Sequence, residues 1–172
     1  MESSLRTFVR LLLAWLSQTF VFHHLVLLDG WLTPMFHLYA LVLLPLRWRP
    51  LTFLLLGGGM GLVTDLTTLG GGLFTAAGLM SGMAQPWIGR LLAPREGYES
   101  DAKPDAAAFG WGWMLAYTFL VVWAHGLWLF LVEAGRWDLI LKALGQSASS
   151  AALTTALILG VRSLFNWNSG RR

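Results

Sequence analysis

Residues 51–92 read LTFLLLGGGMGLVTDLTTLGGGLFTAAGLMSGMAQPWIGRLL, two apolar runs separated by the triplet Gly70–Gly72. Each run, Leu51–Leu69 and Leu73–Leu92, approaches the roughly 20 residues that a helix needs to cross a ~30 Å hydrocarbon layer. Asp65 and Arg90 are the only charged residues in them. Glycine recurs as Gly57, Gly58, Gly59 and Gly61 in the first run and as Gly78 and Gly82 in the second. The spacings Gly57–Gly61 and Gly78–Gly82 allow helix backbones to approach closely in lipid. A phosphate-cradling loop would need a strand before it and a soluble helix after it, and this context supplies neither. The glycines therefore predict packing between two membrane helices, with Gly70–Gly72 as the turn that joins them.

Four more apolar segments flank this pair: Thr7–Leu28, Leu32–Leu46, Phe109–Val132 and Ser147–Phe165. The whole chain, residues 1–172, thus reads as a single all-α membrane domain of about six transmembrane helices in one bundle. Composition agrees: 56% of residues are hydrophobic and 12% charged, against about 25% charged in soluble domains. The run after Arg6 and Arg10 lacks a small-residue cleavage pattern and is followed by further apolar segments, so it reads as a retained first span. Leu32–Leu46 is the short one, bracketed by Pro34 and Pro45, and a re-entrant path is its alternative.

Charge placement favours six crossings over five. With both ends cytoplasmic, Arg6, Arg10, Arg47, Arg49, Arg90, Arg95, Lys103, Arg162, Arg171 and Arg172 fall inside, and only Arg136 and Lys142 outside. Leaving the second segment uncrossed moves Arg6 and Arg10 to the outer side and weakens the partition. Tryptophans cluster at the same boundaries: Trp48, Trp87, Trp111, Trp113 and Trp167 at the inner, Trp31, Trp128 and Trp137 at the outer. The polar stretch 93–108 becomes a cytoplasmic loop. Basic residues placed at span ends face lipid headgroups, which argues against nucleic acid as a partner despite a net charge of +3.

Few residues suggest chemistry. Cysteine is absent, so there is no thiolate ligand or cysteine nucleophile. His23, His24, His125 and Glu133 lie toward the outer ends of spans one and five, but their spacing is not that of a metal site. No serine or threonine sits in an intramembrane nucleophile motif, so neither a catalytic residue, a metal nor a cofactor is expected. Asp65 stands out, because a carboxylate inside an apolar span is expensive. Two readings stay open for it: with Thr64, Thr67 and Thr68 it orders the turn or caps the next helix, or it makes a polar contact with a partner or substrate.

The segment Pro34–Pro86 resembles the MreD family of bacterial rod shape-determining membrane proteins. Four features carry the likeness: PMFHLYALVLLP framed by Pro34 and Pro45, a glycine-rich span ending in Asp65, Gly72 opening GLFTAA seven residues later, and Pro86 closing the fourth span. It extends more loosely over Leu32–Phe165 through PREGYES, FGWGWMLAY and His125. At three positions where family members often carry an aromatic, a histidine and an arginine, this chain has Thr67, Phe74 and Gln85.

The resemblance implies a fold similar to the substrate-binding subunits of energy-coupling-factor vitamin transporters. It also implies a non-enzymatic scaffold in the bacterial cytoplasmic membrane, partnered by MreC and associated with MreB, RodA and a class B penicillin-binding transpeptidase. Gly57, Gly61, Asp65, Gly72, Gly78, Gly82, Pro86 and His125 are then the candidate packing or partner-contact residues. The competing expectation is a substrate-binding subunit of a vitamin or small-molecule transporter. Those subunits usually carry an alanine-xxx-alanine docking pattern on the first span, which Ala14 followed by Gln18 does not supply.

Overall fold

A computed structural model describes residues 2–22, 25, 27–100 and 102–169. His23, His24, Arg171 and Arg172 lie outside the described residues. The protein is 76% helix, and among the described residues it contains no strand beyond one antiparallel bridge between Leu27 and Leu32.

Among the described residues seven α-helices follow in order: α1 (Glu2–Phe20), α2 (Leu38–Val42), α3 (Pro50–Thr68), α4 (Leu73–Leu91), α5 (Ala106–Phe109), α6 (Trp111–Ala134) and α7 (Ile140–Ser169). Three of the apolar stretches, Pro50–Thr68, Trp111–Ala134 and Trp137–Leu164, are long and apolar enough to cross a membrane. The protein is a membrane protein on that ground. Its surface agrees, since Leu55, Leu66, Trp87, Leu91 and Leu141 are each more than 60% exposed, whereas Gln18, His37, Ser81, Gln85, His125 and Thr154 are buried. Such an apolar exterior around a partly polar interior is stable only where lipid replaces water.

Helix boundaries follow from local chemistry. Pro50 opens α3, where its missing N–H and fixed φ cost nothing. Leu69, in left-handed conformation at φ 56°, ends α3, and its N–H returns to Asp65 O. Gly72 precedes α4 at φ 94°, a backbone state that side chains disfavour. Gly110 at φ 85° and Gly135 at φ 58° bound α6 in the same way. Pro86 lies inside α4, which continues to Leu91, so it does not close that helix as the sequence suggested. Proline tolerates this site only by forgoing one intrahelical hydrogen bond.

Helices α3 and α4 form a tight antiparallel hairpin, α4 packs on α6, and α6 packs on α7, while α1 lies against α2 and α3. The segment 31–46 departs from the expectation of a second helical span. Only five of its residues, Leu38–Val42, are helical. It nevertheless runs the length of the bundle. At one end Trp31 packs on Gly145 near the start of α7. At the other, Leu46 N–H donates to Ala102 O (2.9 Å) in the loop that joins α4 to α5. Met35, Leu38, Leu41, Val42 and Leu44 are almost completely buried along the way and join Phe53, Met114, Tyr117, Val121 and Ile158 in the core. Pro34 and Pro45 account for the interruption, since proline biases the preceding residue away from helix and contributes no backbone donor.

Candidate functional site

Non-helical backbone inside a bundle leaves donors and acceptors that water cannot reach, and each must find an internal partner. Polar side chains from three helices supply them. The Thr33 N–H donates to Ser150 Oγ and the Met35 N–H to Thr154 Oγ1, both at 3.0 Å. Gln18 on α1 serves twice: its Oε1 accepts from the His37 N–H (3.3 Å) and its Nε2 donates to Pro34 O (3.1 Å). Gln85 on α4 donates to Leu41 O (2.7 Å) and to the Tyr117 hydroxyl (3.0 Å). The interrupted segment is thereby held by α1, α4 and α7.

Beside it sits a compact polar cluster. The rings of His37 and His125 meet edge to face with centroids 5.0 Å apart, and both residues are buried. Ser81 Oγ lies 3.4 Å from His125 Nδ1 and donates its hydroxyl proton to Gly78 O (2.9 Å). Phe74 closes the cluster toward the α3–α4 turn, 6.1 Å from His37 ring to ring. His37 Nδ1, His37 Nε2, His125 Nε2 and Thr118 Oγ1 have no hydrogen-bond partner. Among the described residues no group of three or more histidines or carboxylates is placed to hold a metal.

Asp65 joins α3 to α4. Its Oδ1 accepts from the Phe74 N–H (3.1 Å), and its Oδ2 accepts from the Thr75 N–H (2.7 Å) and from the Thr75 hydroxyl. The carboxylate thus satisfies otherwise orphaned donors in the first turn of α4, where the helix dipole also favours negative charge. Of the two readings open in the sequence, this geometry is that of a cap.

The four spaced glycines lie at one interface. A Cβ at Gly57 would overlap the carbonyl of Gly78, one at Gly78 the carbonyl of Gly57, one at Gly61 the backbone of Phe74, and one at Gly82 the backbone of Phe53. Backbone touches backbone along the hairpin, so this face is occupied by the protein's own helices and a partner has no access to it. Gly59 differs, for nothing lies within 4 Å of its Cβ position.

The end opposite the α3–α4 turn is ordered by the stretch 93–108. Tyr98 donates its hydroxyl to Gly89 O (2.7 Å), Arg47 donates to Tyr98 O (3.2 Å), and Trp113 Nε1 donates to Leu92 O (2.8 Å). Burial raises the Tyr98 phenol above its usual range, against a smaller opposing hydrogen bond with Trp113. Arg162 on α7 pairs with Asp105 at 3.3 Å, and Asp105 caps α5.

Of the residues singled out in the sequence, the structure brings Gly78 and His125 to the central cluster. Asp65, Gly72 and the remaining glycines form the hairpin, and Pro86 is half-buried in α4. In the sequence Gln18 and Gln85 stand out only as departures from family patterns, and His37, Ser150 and Thr154 do not stand out. For the glutamines a signal was available, since a glutamine within an apolar span carries a desolvation cost that asks for a buried partner. No family model, curated protein or solved structure matches the chain.

Proposed function

We propose that this protein is a non-enzymatic scaffold of the MreD type in the bacterial cytoplasmic membrane, with six crossings and both termini cytoplasmic. On this reading it holds MreC beside the RodA and class B transpeptidase synthases and links them to MreB filaments beneath the membrane. The observation that carries the reading is the role of the residues on which the MreD resemblance rests. Pro34 and Pro45 bracket the interrupted segment, Asp65 caps α4, and Gly72 takes the left-handed conformation before it. These are residues that set backbone path, so agreement in their spacing speaks for agreement in fold. The buried run of 31–46 from one bundle end to the other serves as the second crossing, and the overall arrangement is then one similar to energy-coupling-factor binding subunits.

Because Gly57, Gly61, Gly78 and Gly82 are enclosed within the hairpin, partners meet the exposed apolar faces instead. A leucine at Gly57 or Gly61 would therefore disturb this chain's own fold before it disturbed assembly. Purification of a tagged copy from its native membrane in mild detergent, with identification of all co-purifying proteins and small molecules, tests the proposal. Recovery of MreC with the elongation synthases supports it. Recovery of transporter ATPases or a stoichiometric vitamin-like ligand overturns it in favour of a transporter subunit.

A further inference from the structure

We infer that the cavity between the end of α6 and the start of α7 binds an ammonium–phosphate zwitterion, the headgroup of phosphatidylethanolamine. Its volume is about 180 Å³, below that of a drug-sized pocket and in keeping with a single headgroup. Glu133 and Ala134 line it from the last turn of α6, and Leu139, Lys142 and Gln146 from the chain that follows. Glu133 and Lys142 are both exposed, and among the described residues neither has an ion-pair or hydrogen-bond partner. Two opposite charges thus line one cavity without neutralising each other.

The helix ends repeat this polarity. At Glu133 and Ala134, α6 presents its C-terminus, where unpaired carbonyls and the negative end of the dipole favour a cation. Entered through the turn Trp137–Leu139, α7 presents the positive end of its own dipole, which favours an anion. The charges between them in sequence, Arg136 and Asp138, pair with each other at 2.7 Å and so leave the field to Glu133, Lys142 and the two helix ends. A ligand with its ammonium against Glu133 and its phosphate against Lys142 satisfies both. Gln146, whose Nε2 donates to Gly30 O (3.2 Å), keeps its carbonyl oxygen as a further acceptor for the ammonium.

Lipid is the source of that zwitterion because apolar surface adjoins the charges. Trp137 and Leu141, on either side of Leu139 in sequence, are 87% and 79% exposed, and Val132 beside Glu133 is exposed too. An exposed indole at a bundle end marks the headgroup level, with the acyl chains of the same phospholipid against the neighbouring apolar side chains. Phosphatidylglycerol offers no cation to Glu133, and the choline of phosphatidylcholine offers it no N–H. The assignment holds for either membrane surface, and so stands apart from the MreD reading.

The test uses the full chain purified in detergent and equilibrated with an equimolar mixture of phosphatidylethanolamine, phosphatidylglycerol and phosphatidylcholine, with native mass spectrometry counting the lipid retained. About one phosphatidylethanolamine per chain is expected, preferred about tenfold over either competitor, as a charge-assisted hydrogen bond allows. This comparison needs no variant. Glu133→Gln should abolish the preference over phosphatidylcholine, and Lys142→Gln should lower phosphatidylethanolamine retention about tenfold. Both positions are exposed, so neither change threatens the core, and Lys103→Gln at the other end of the bundle should alter nothing. Equal retention of the three lipids, a preference over phosphatidylcholine that survives Glu133→Gln, or unchanged retention in Lys142→Gln would overturn the assignment. Displacement of the lipid by an equal concentration of free ethanolamine phosphate would overturn it too, by showing that the cavity takes a soluble zwitterion.

Discussion

At the scale of single residues, Asp65 shows how a costly intramembrane carboxylate is retained for structural reasons. It accepts from two backbone N–H groups and one hydroxyl across a nine- to ten-residue separation, fixing α3 to α4 at their shared turn. Replacing it with alanine leaves the Phe74 and Thr75 amides without partners and should cost about 2 kcal/mol. In a chain of this size that is a fall of roughly 4–8 °C in the unfolding midpoint, measurable by intrinsic fluorescence in detergent. Asp65→Asn, which keeps one acceptor oxygen, should fall between. A midpoint within a degree of the parent would return Asp65 to the role of a partner contact. The position of the aspartate was legible in the sequence, because polarity in an apolar span is conspicuous. Its partner was not, because Thr75 is an unremarkable threonine until the turn places it.

At the scale of elements, two features invite separate tests. The α3–α4 hairpin depends on glycine at some positions and merely contains it at others. Gly57→Ala and Gly61→Ala each drive a methyl into opposing backbone, which cannot yield as a side-chain tip would, and each should cost on the order of 1–3 kcal/mol. Gly59→Ala on the same helix meets nothing, and should be neutral or stabilising by up to about 1 kcal/mol through helix propensity. Equal effects at the three sites, read from unfolding midpoints, would refute the packing account.

The interrupted segment depends on glutamine rather than glycine. Gln18→Leu strips the partners from the His37 N–H and Pro34 O, and should speed hydrogen exchange at the His37 amide by tenfold or more. Unaltered exchange there would mean that the segment is held by α4 and α7 alone. The hairpin could be read from glycine spacing because close packing leaves a periodic trace. The path of 31–46 could not, because its backbone partners lie on α1, α4 and α7, far away in sequence, and only the two prolines mark it.

At the scale of the whole molecule, hydropathy and charge made the helical membrane class legible, and the fold then turned on one question, whether 31–46 crosses. Contacts at its ends, Trp31 with Gly145 and Leu46 with Ala102, lie at opposite ends of α6 and α7, so residues on either side of the segment must face opposite membrane surfaces if the bundle spans. The chain has no cysteine, which makes single cysteines clean reporters of side. Leu27, Arg49, Glu96 and Asp138 are all exposed, and none sits in the core. Six crossings predict that Leu27→Cys and Asp138→Cys react with an impermeant maleimide added to intact cells, whereas Arg49→Cys and Glu96→Cys react only after permeabilisation. A re-entrant segment predicts instead that Leu27→Cys joins the protected pair while Asp138→Cys stays reactive. The two patterns differ at one residue, and that residue reports on the segment that Gln18, Gln85, Ser150 and Thr154 hold in place. Reaction at Leu27→Cys from outside would give the ten-to-two division of basic residues its physical cause, because each inner cluster would then lie on the side where positive charge is retained.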